Sequence, residues 1–350
     1  MSVVNRPDAA PQPRHAIDLH GEGWSAPGHQ VVSGPLRIAE CERERLVLVR
    51  HDGYRLPRRG NVARVECVRA DVDEAYPVFS RGDLDMTRVA YTPQTADHVR
   101  SSAGGDEPLT WLAYLGFEHE HPELGNVELR RALALAIDRS ALEEAAPANL
   151  VAATGGVVPP ALYGHSPDTA PRLDVESARE HLRLAELPPG LTLAVTAQDV
   201  WGELLEIVVG SWRDALGLEV DLDLWSGHDP PVGSLLERAP IALFGWMPGY
   251  PDPEYMLRLL LHSDALTNAG RFADAHFDEL VEAARRERSD RRRLERFHAA
   301  DRYAVADRVA LIPLVYGRSS AFVQPYVHGW WEFAKSSANF ADLVVERSSE

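Results

Sequence analysis

Residues 245–253 read Gly-Trp-Met-Pro-Gly-Tyr-Pro-Asp-Pro, and three prolines with two glycines in nine positions exclude a continuous strand or helix there. Just before it, Ile241-Ala-Leu-Phe244 is a short apolar run that suits a buried strand. Just after it, from Glu254, the residues Met256, Leu257, Leu260 and Leu261 recur at helical spacing on one face. The chain is therefore expected to leave a buried strand, hold Trp246 and Tyr250 on a proline-stiffened loop, and enter a helix. Loops at the ends of buried strands commonly carry binding chemistry.

The rest of the chain is long enough to support two lobes, with 350 residues, 45% of them hydrophobic and 25% charged. A net charge of −17 opposes a nucleic-acid groove or an anionic membrane surface, which call for clustered positive charge. Lys335 is the single lysine, leaving one candidate for Schiff-base chemistry. Cys41 and Cys67 are the only cysteines and support neither a disulfide framework nor a Cys-based zinc site. They are expected as two buried thiols, or as a pair if their strands are adjacent. The N-terminus lacks a basic start with an apolar h-region, and no run reaches transmembrane length, so the chain as written is expected in the cytoplasm.

Residues 1–14 read as a disordered tail and 15–33 as a surface-hugging segment. Strand-like runs follow at Gly34–Ile38, Leu46–Val49 and Val62–Val68, then a short helix over Ala75–Asp85 and a polar loop over Asp97–Pro108. Leu109–Phe117 is expected to be a strand crossing between lobes. Asn126 should cap a helix whose stripe is Leu129, Leu133, Ala136 and Ile137. Gly155–Pro171 is a connector, and Asp174 caps a helix bearing Ala178, Leu182 and Ala185. A strand at Leu191–Val195, a helix over Val200–Leu216 stopped by Gly217 and a strand at Leu218–Leu224 form a βαβ unit. Helices from about Ala275 and from a cap at Asp290 precede an apolar strand at Val309–Tyr316.

Several spaced elements together resemble the family 5 bacterial extracellular solute-binding proteins, the oligopeptide-, dipeptide- and nickel-binding receptors of ABC importers. Gly245, Trp246, Tyr250, Asp252 and Pro253, then Asn268 and Phe272, then Phe277-Asp278, follow that family's Gly-Trp-x-Ala-Asp-Tyr-x-Asp-Pro signature. Asn126–Arg139 resembles its Asn-x-x-Val-Arg-x-Ala-Leu-x-x-Ala-Ile-Asp-Arg helix, and Ile312–Tyr316 its Ile-Pro-Leu-x-Tyr strand. The resemblance implies an α/β, two-lobed periplasmic-binding-protein-like fold with mixed sheets and an incomplete lobe I. On that basis lobe I is expected at 15–117 with 321–350 returning to it, and lobe II at 118–320. A lobe I without its first strand would need covering, either by residues 15–33 or by pairing of two copies as a homodimer.

The resemblance places the 245–253 loop in an inter-lobe cleft, where the aromatic faces of Trp246 and Tyr250 suit an apolar or cationic ligand. Asp252 is expected to fix the turn, and Trp111 and Arg271 complete the candidate ligand-contact set. Gly249 stands where the peptide receptors carry an Asp that pairs with the ligand's α-ammonium. Losing one partner of a buried ion pair costs roughly 3–5 kcal/mol, or about two decades in affinity, so a free peptide N-terminus is a poor ligand, unless Asp252 or Glu254 substitutes. His119-Glu120-His121 lacks a third ligand and is read as a solvated crossover, and His228-Asp229 as loop polarity. No metal, cofactor or catalytic motif is identifiable. The expected function is binding of a small, partly apolar molecule by a sensor, carrier or scaffold; the alternative is the same fold recruited as a cyclase- or isomerase-type enzyme.

Overall fold

The computed structural model describes residues 12–26, 28–70, 72–88, 109–147, 149–226, 234–318, 321–329 and 340–346. The chain divides into two compact units, Met1–Ser102 with Ser320–Glu350, and Ala103–Ser319. The division falls ahead of the expected boundary at 117, so the strand Leu109–Phe117 belongs wholly to the second unit.

In the first unit, β1 (Leu36–Cys41), β2 (Arg45–Arg50) and β3 (Arg64–Val68) form an antiparallel sheet. A helix α1 (Arg14–His20) precedes it, with Ala16 as its one buried residue, and α2 (Val72–Ser80) and β4 (Met86–Arg88) follow. Cys41 and Cys67 both lie opposite Leu46 of the central strand, one on each side. They are thus two strand spacings apart, about 9–10 Å, beyond the roughly 7 Å a disulfide can span. Both are free thiols; Cys41 is exposed rather than buried, while Cys67 is half-buried and its thiol pushed up by that burial.

The second unit is built on a six-stranded mixed sheet. Its strands are β5 (Leu109–Phe117), β6 (Leu150–Ala152), β7 (Thr192–Gln198), β8 (Glu219–Trp225), β9 (Ile241–Trp246) and β10 (Leu311–Arg318), in the order β6-β10-β5-β9-β7-β8. β7, β8 and β9 run parallel, and β5, β6 and β10 join by antiparallel pairing. Side chains alternate between two cores. One core packs Ala113, Leu115 and Phe117 of β5 against α3 (Val127–Leu135), α4 (Arg139–Ala145), α5 (Val175–Leu184) and α6 (Gly202–Leu216). The other packs Leu112, Tyr114 and Phe244 against α7 (Leu235–Arg238), α8 (Pro253–Leu261), α9 (Ala275–Arg286) and α10 (Asp290–Arg302). Between α6 and β8, Gly217 takes the left-handed conformation (φ 67°), and its N–H bonds to Arg213 O. Pro313 sits in β10 next to a register shift, which relieves the ladder of the N–H it lacks.

The Asn126–Arg139 segment is two helices rather than one. Asn126 caps α3 by accepting the Glu128 N–H, but α3 ends at Leu135, and Asp138 caps α4 through the N–H groups of Ser140 and Ala141. Ala136 and Ile137 are buried in the break. The two arginines of this segment are interior. Arg130 donates to the carbonyls of Leu124, Arg308 and Val309, and Arg139 to those of Pro171 and Pro313. Burial pulls both guanidinium groups down to about 10. At α10, Ser289 rather than Asp290 holds the cap position, and Asp290 is the first helical residue.

Candidate functional site

The carboxyl ends of β7, β8 and β9 meet at one edge of the second unit's sheet. Gln198 lies opposite Trp225, and Thr196 lies opposite Ala242 two residues earlier, so Trp225 and Trp246 end the two parallel strands that flank β7. Trp246 is the last residue of β9, paired with Leu112, rather than a loop residue; the sheet extends through Gly245 because β5 offers partners to it. Trp225 and Trp246 pack against the same core, and both have a buried indole N–H with no hydrogen-bond partner among the described residues. A buried unsatisfied donor costs about 1–3 kcal/mol, so such groups call for an acceptor. Tyr250, four residues beyond, meets the Tyr255 ring edge-on at 4.8 Å, and Trp246 lies 6.3 Å from the same ring.

Trp111 is on the opposite face of the sheet. Its indole donates to Arg318 O at 3.1 Å, its ring meets Trp201 edge-on at 6.1 Å, and it lies flat over Gly317. A Cβ at position 317 would fall 1.9 Å from that ring, so the tryptophan needs the glycine. Trp111 and Trp246 therefore share an edge of the sheet but present to different sides of it.

Arg271 is at the other end of the strands. It pairs with Glu118 and, at 3.1 Å, with Glu120, just past the C-terminus of β5, where Phe117 faces Ile241. Five residues of β9 separate that level from Trp246, about 17 Å of extended chain. Arg271 is thus engaged away from the aromatic edge. Nearby, His119 Nε2–H donates to Ala310 O (2.9 Å) and burial pulls the ring down to about 4, while His121 pairs with Glu123. His228, Asp229 and Lys335 lie outside the described residues.

Asp252 closes the loop. Its carboxylate caps α8 by accepting the Glu254 N–H (2.9 Å) and takes a 2.8 Å hydrogen bond from Arg293. Glu254 pairs with Arg285 at 2.8 Å. Asp252 and Glu254, the two carboxylates nearest Gly249 in sequence, are therefore paired with arginines from α10 and α9. Reading the sequence alone missed Trp225, Trp201 and Arg293. The first was within reach, because Trp225 ends an alternating strand at the carboxyl edge where α/β sheets bind ligands. Arg293 sits in a run of mixed charges over 285–296, and nothing local there marks its partner.

The mixed α/β sheet is the fold of the periplasmic binding proteins whose solved structures this chain resembles. The chain belongs to the bacterial extracellular solute-binding proteins, family 5, whose middle-region model matches residues 4–268. It is 24% identical over 339 residues to the probable deoxycholate-binding periplasmic protein YgiS of Escherichia coli, covering 93% of this chain and 62% of that protein. It is 22% identical over 352 residues to the periplasmic oligopeptide-binding protein OppA of Salmonella typhimurium, covering 94% of this chain and 63% of that one. The chain thus spans just under two thirds of the length of these relatives. The structure of the murein tripeptide binding protein MppA of Escherichia coli superposes with a TM-score of 0.80 at 18% identity, over 99% of this chain and 70% of that one. Among the described residues no helix is long and apolar enough to cross a membrane.

Proposed function

We propose that this chain binds a small, partly apolar ligand that carries oxygen acceptors, at the carboxyl edge of β7, β8 and β9, and serves as a carrier or sensor of it. The observation that carries the reading is the pair of buried indole N–H groups of Trp225 and Trp246, which have no partner among the described residues and lie on the core that Tyr250 also packs against. Aromatic faces supply apolar contact, and the two N–H groups supply directed donors to a carbonyl or carboxylate oxygen. In the 245–254 segment a free peptide ammonium finds no unpaired carboxylate, since Gly249 offers none and Asp252 and Glu254 are held by Arg293 and Arg285. An apolar carboxylate fits this inventory better than a zwitterionic peptide. Deoxycholate, the ligand in the name of one relative, is a molecule of that composition.

Titration calorimetry with sodium deoxycholate below its micellar concentration, against a set of free di- and tripeptides, tests the reading. Binding of deoxycholate with the peptides weaker by about two decades is the expected result. Submicromolar binding of a free-N-terminus peptide, with none of deoxycholate, overturns it.

A further inference from the structure

We propose that Arg293 of α10 is the positioning residue of this site: it holds the Met247–Asp252 loop in the conformation that presents Tyr250. The inference rests on reading the aromatic edge as the ligand site, but its mechanical part stands on geometry alone. The loop has one fixed end at Trp246, paired into the sheet, and the other at Asp252. Asp252 N–H bonds to Tyr250 O at 2.9 Å, so the backbone carrying the Tyr250 ring is tied directly to the residue that Arg293 grips. The Asp252 Oδ1 that accepts from Arg293 at 2.8 Å is the same oxygen that caps α8 at Glu254 N.

Arg293 is itself held. Its guanidinium lies over the Phe297 ring, 4.7 Å from the centroid, and comes within 3.8 Å of Glu254. Its side chain is 19% exposed and that of Asp252 24%, so solvent screens the pair less than it does the surface pairs of α10 such as Arg291–Glu295. A planar guanidinium stacked on an aromatic ring loses little further freedom on binding a carboxylate, which a lysine would not match. The Arg285–Glu254 pair provides an internal control. It too joins α8 to a neighbouring helix, but it grips a residue inside α8, beyond the loop.

The test compares Arg293→Met, Arg293→Lys and Asp252→Asn with the control Arg285→Met, using the full chain throughout. Asp252→Asn preserves the capping oxygen and removes only the charge. Amide hydrogen exchange is read over 246–252 and over α9, and deoxycholate affinity is measured by calorimetry. Exchange in the loop is expected to rise about tenfold in Arg293→Met and Asp252→Asn with α9 unchanged, and affinity to fall about tenfold. Arg293→Lys should recover part of both losses, and Arg285→Met should show neither. Unchanged loop exchange, or a rise shared equally by α9, overturns the proposal and leaves Arg293 a stabilising contact only. Should Arg293→Met not fold, Asp252→Asn decides the same question. Failure of the unmodified chain to bind deoxycholate would count against the ligand assignment, while the exchange measurement would still decide the role of Arg293.

Discussion

The carboxylate of Asp301 occupies the space that a side chain at Gly156 would need: a Cβ there would lie 1.9 Å from Asp301 Oδ2. Asp301 is wholly buried on α10, and its Oδ1 accepts the Val157 N–H at 2.9 Å. The Tyr316 hydroxyl donates to the neighbouring Gly156 O at 2.6 Å, and the His165 ring stands edge-on to Tyr316 at 5.6 Å. The 155–166 connector is thus fastened to α10 through one interior acid and to β10 through the Tyr316 hydroxyl.

That acid sets a pH dependence. Burial raises the Asp301 carboxyl from 3.8 to about 7, and the Val157 N–H and Ser166 hydroxyl offset this only in part. A folded value above the unfolded one means its stabilising contribution is complete below about pH 4 and is lost as pH rises through 7. The loss is on the order of 4 kcal/mol. Asp301→Asn, which stays neutral, should therefore gain stability relative to the parent as pH rises from about 4 to about 7. His119 works in the opposite sense: its contribution is present above 6.5 and lost as pH falls toward 4. Urea midpoints across this range check the prediction, and parallel profiles for parent and Asp301→Asn would contradict it.

Arg130→Lys should destabilise the chain by about 3 kcal/mol or more. A lysine places one charged nitrogen where the guanidinium now satisfies the carbonyls of Leu124, Arg308 and Val309, and buried unsatisfied groups are costly. Val309 has a positive φ of 43°, which a β-branched residue adopts only under strain, so loosening its carbonyl also frees that strain. Chemical denaturation measures the change; a loss within about 0.5 kcal/mol, as for an ordinary surface substitution, would refute it.

Trp246→Ala should abolish ligand binding and cost only about 1–2 kcal/mol of stability, a few degrees in melting temperature. The ring is half-buried at a strand end, and the strand keeps its partners in β5. Calorimetry and thermal melts on the same sample check both halves. Retained affinity would sink the site assignment, and outright unfolding would make Trp246 a core residue.

Both cysteines should titrate as free thiols after air exposure, Cys41 reacting first with a maleimide. Cys41 is exposed, whereas Cys67 is half-buried with its thiol pushed up. Mass spectrometry of the labelled chain reads the order, and an intrachain 41–67 crosslink would contradict the strand register.

Local signals determined much of this molecule. The apolar run 241–244, the prolines after it and the Asp-Pro entrance to α8 act over a few residues, so strand, loop and capped helix were legible there. The same holds for Asn126, Asp174 and Gly217, whose effects on a helix end need no distant partner. What the tertiary structure decided depends on pairings across long stretches of chain. Alternation in β5 separates two faces, but only the docking of β9 and β10 determines that Trp111 and Trp246 lie on opposite ones. Charge patterning shows Arg130, Arg271 and Arg293 as equivalent cations. Folding buries the first among carbonyls, spends the second on Glu118, and sets the third against Asp252. Local windows do not encode these partners, because the Glu118 of Arg271, the Asp252 of Arg293 and two of the three carbonyls of Arg130 arrive only when segments more than forty residues apart close around the same side chain.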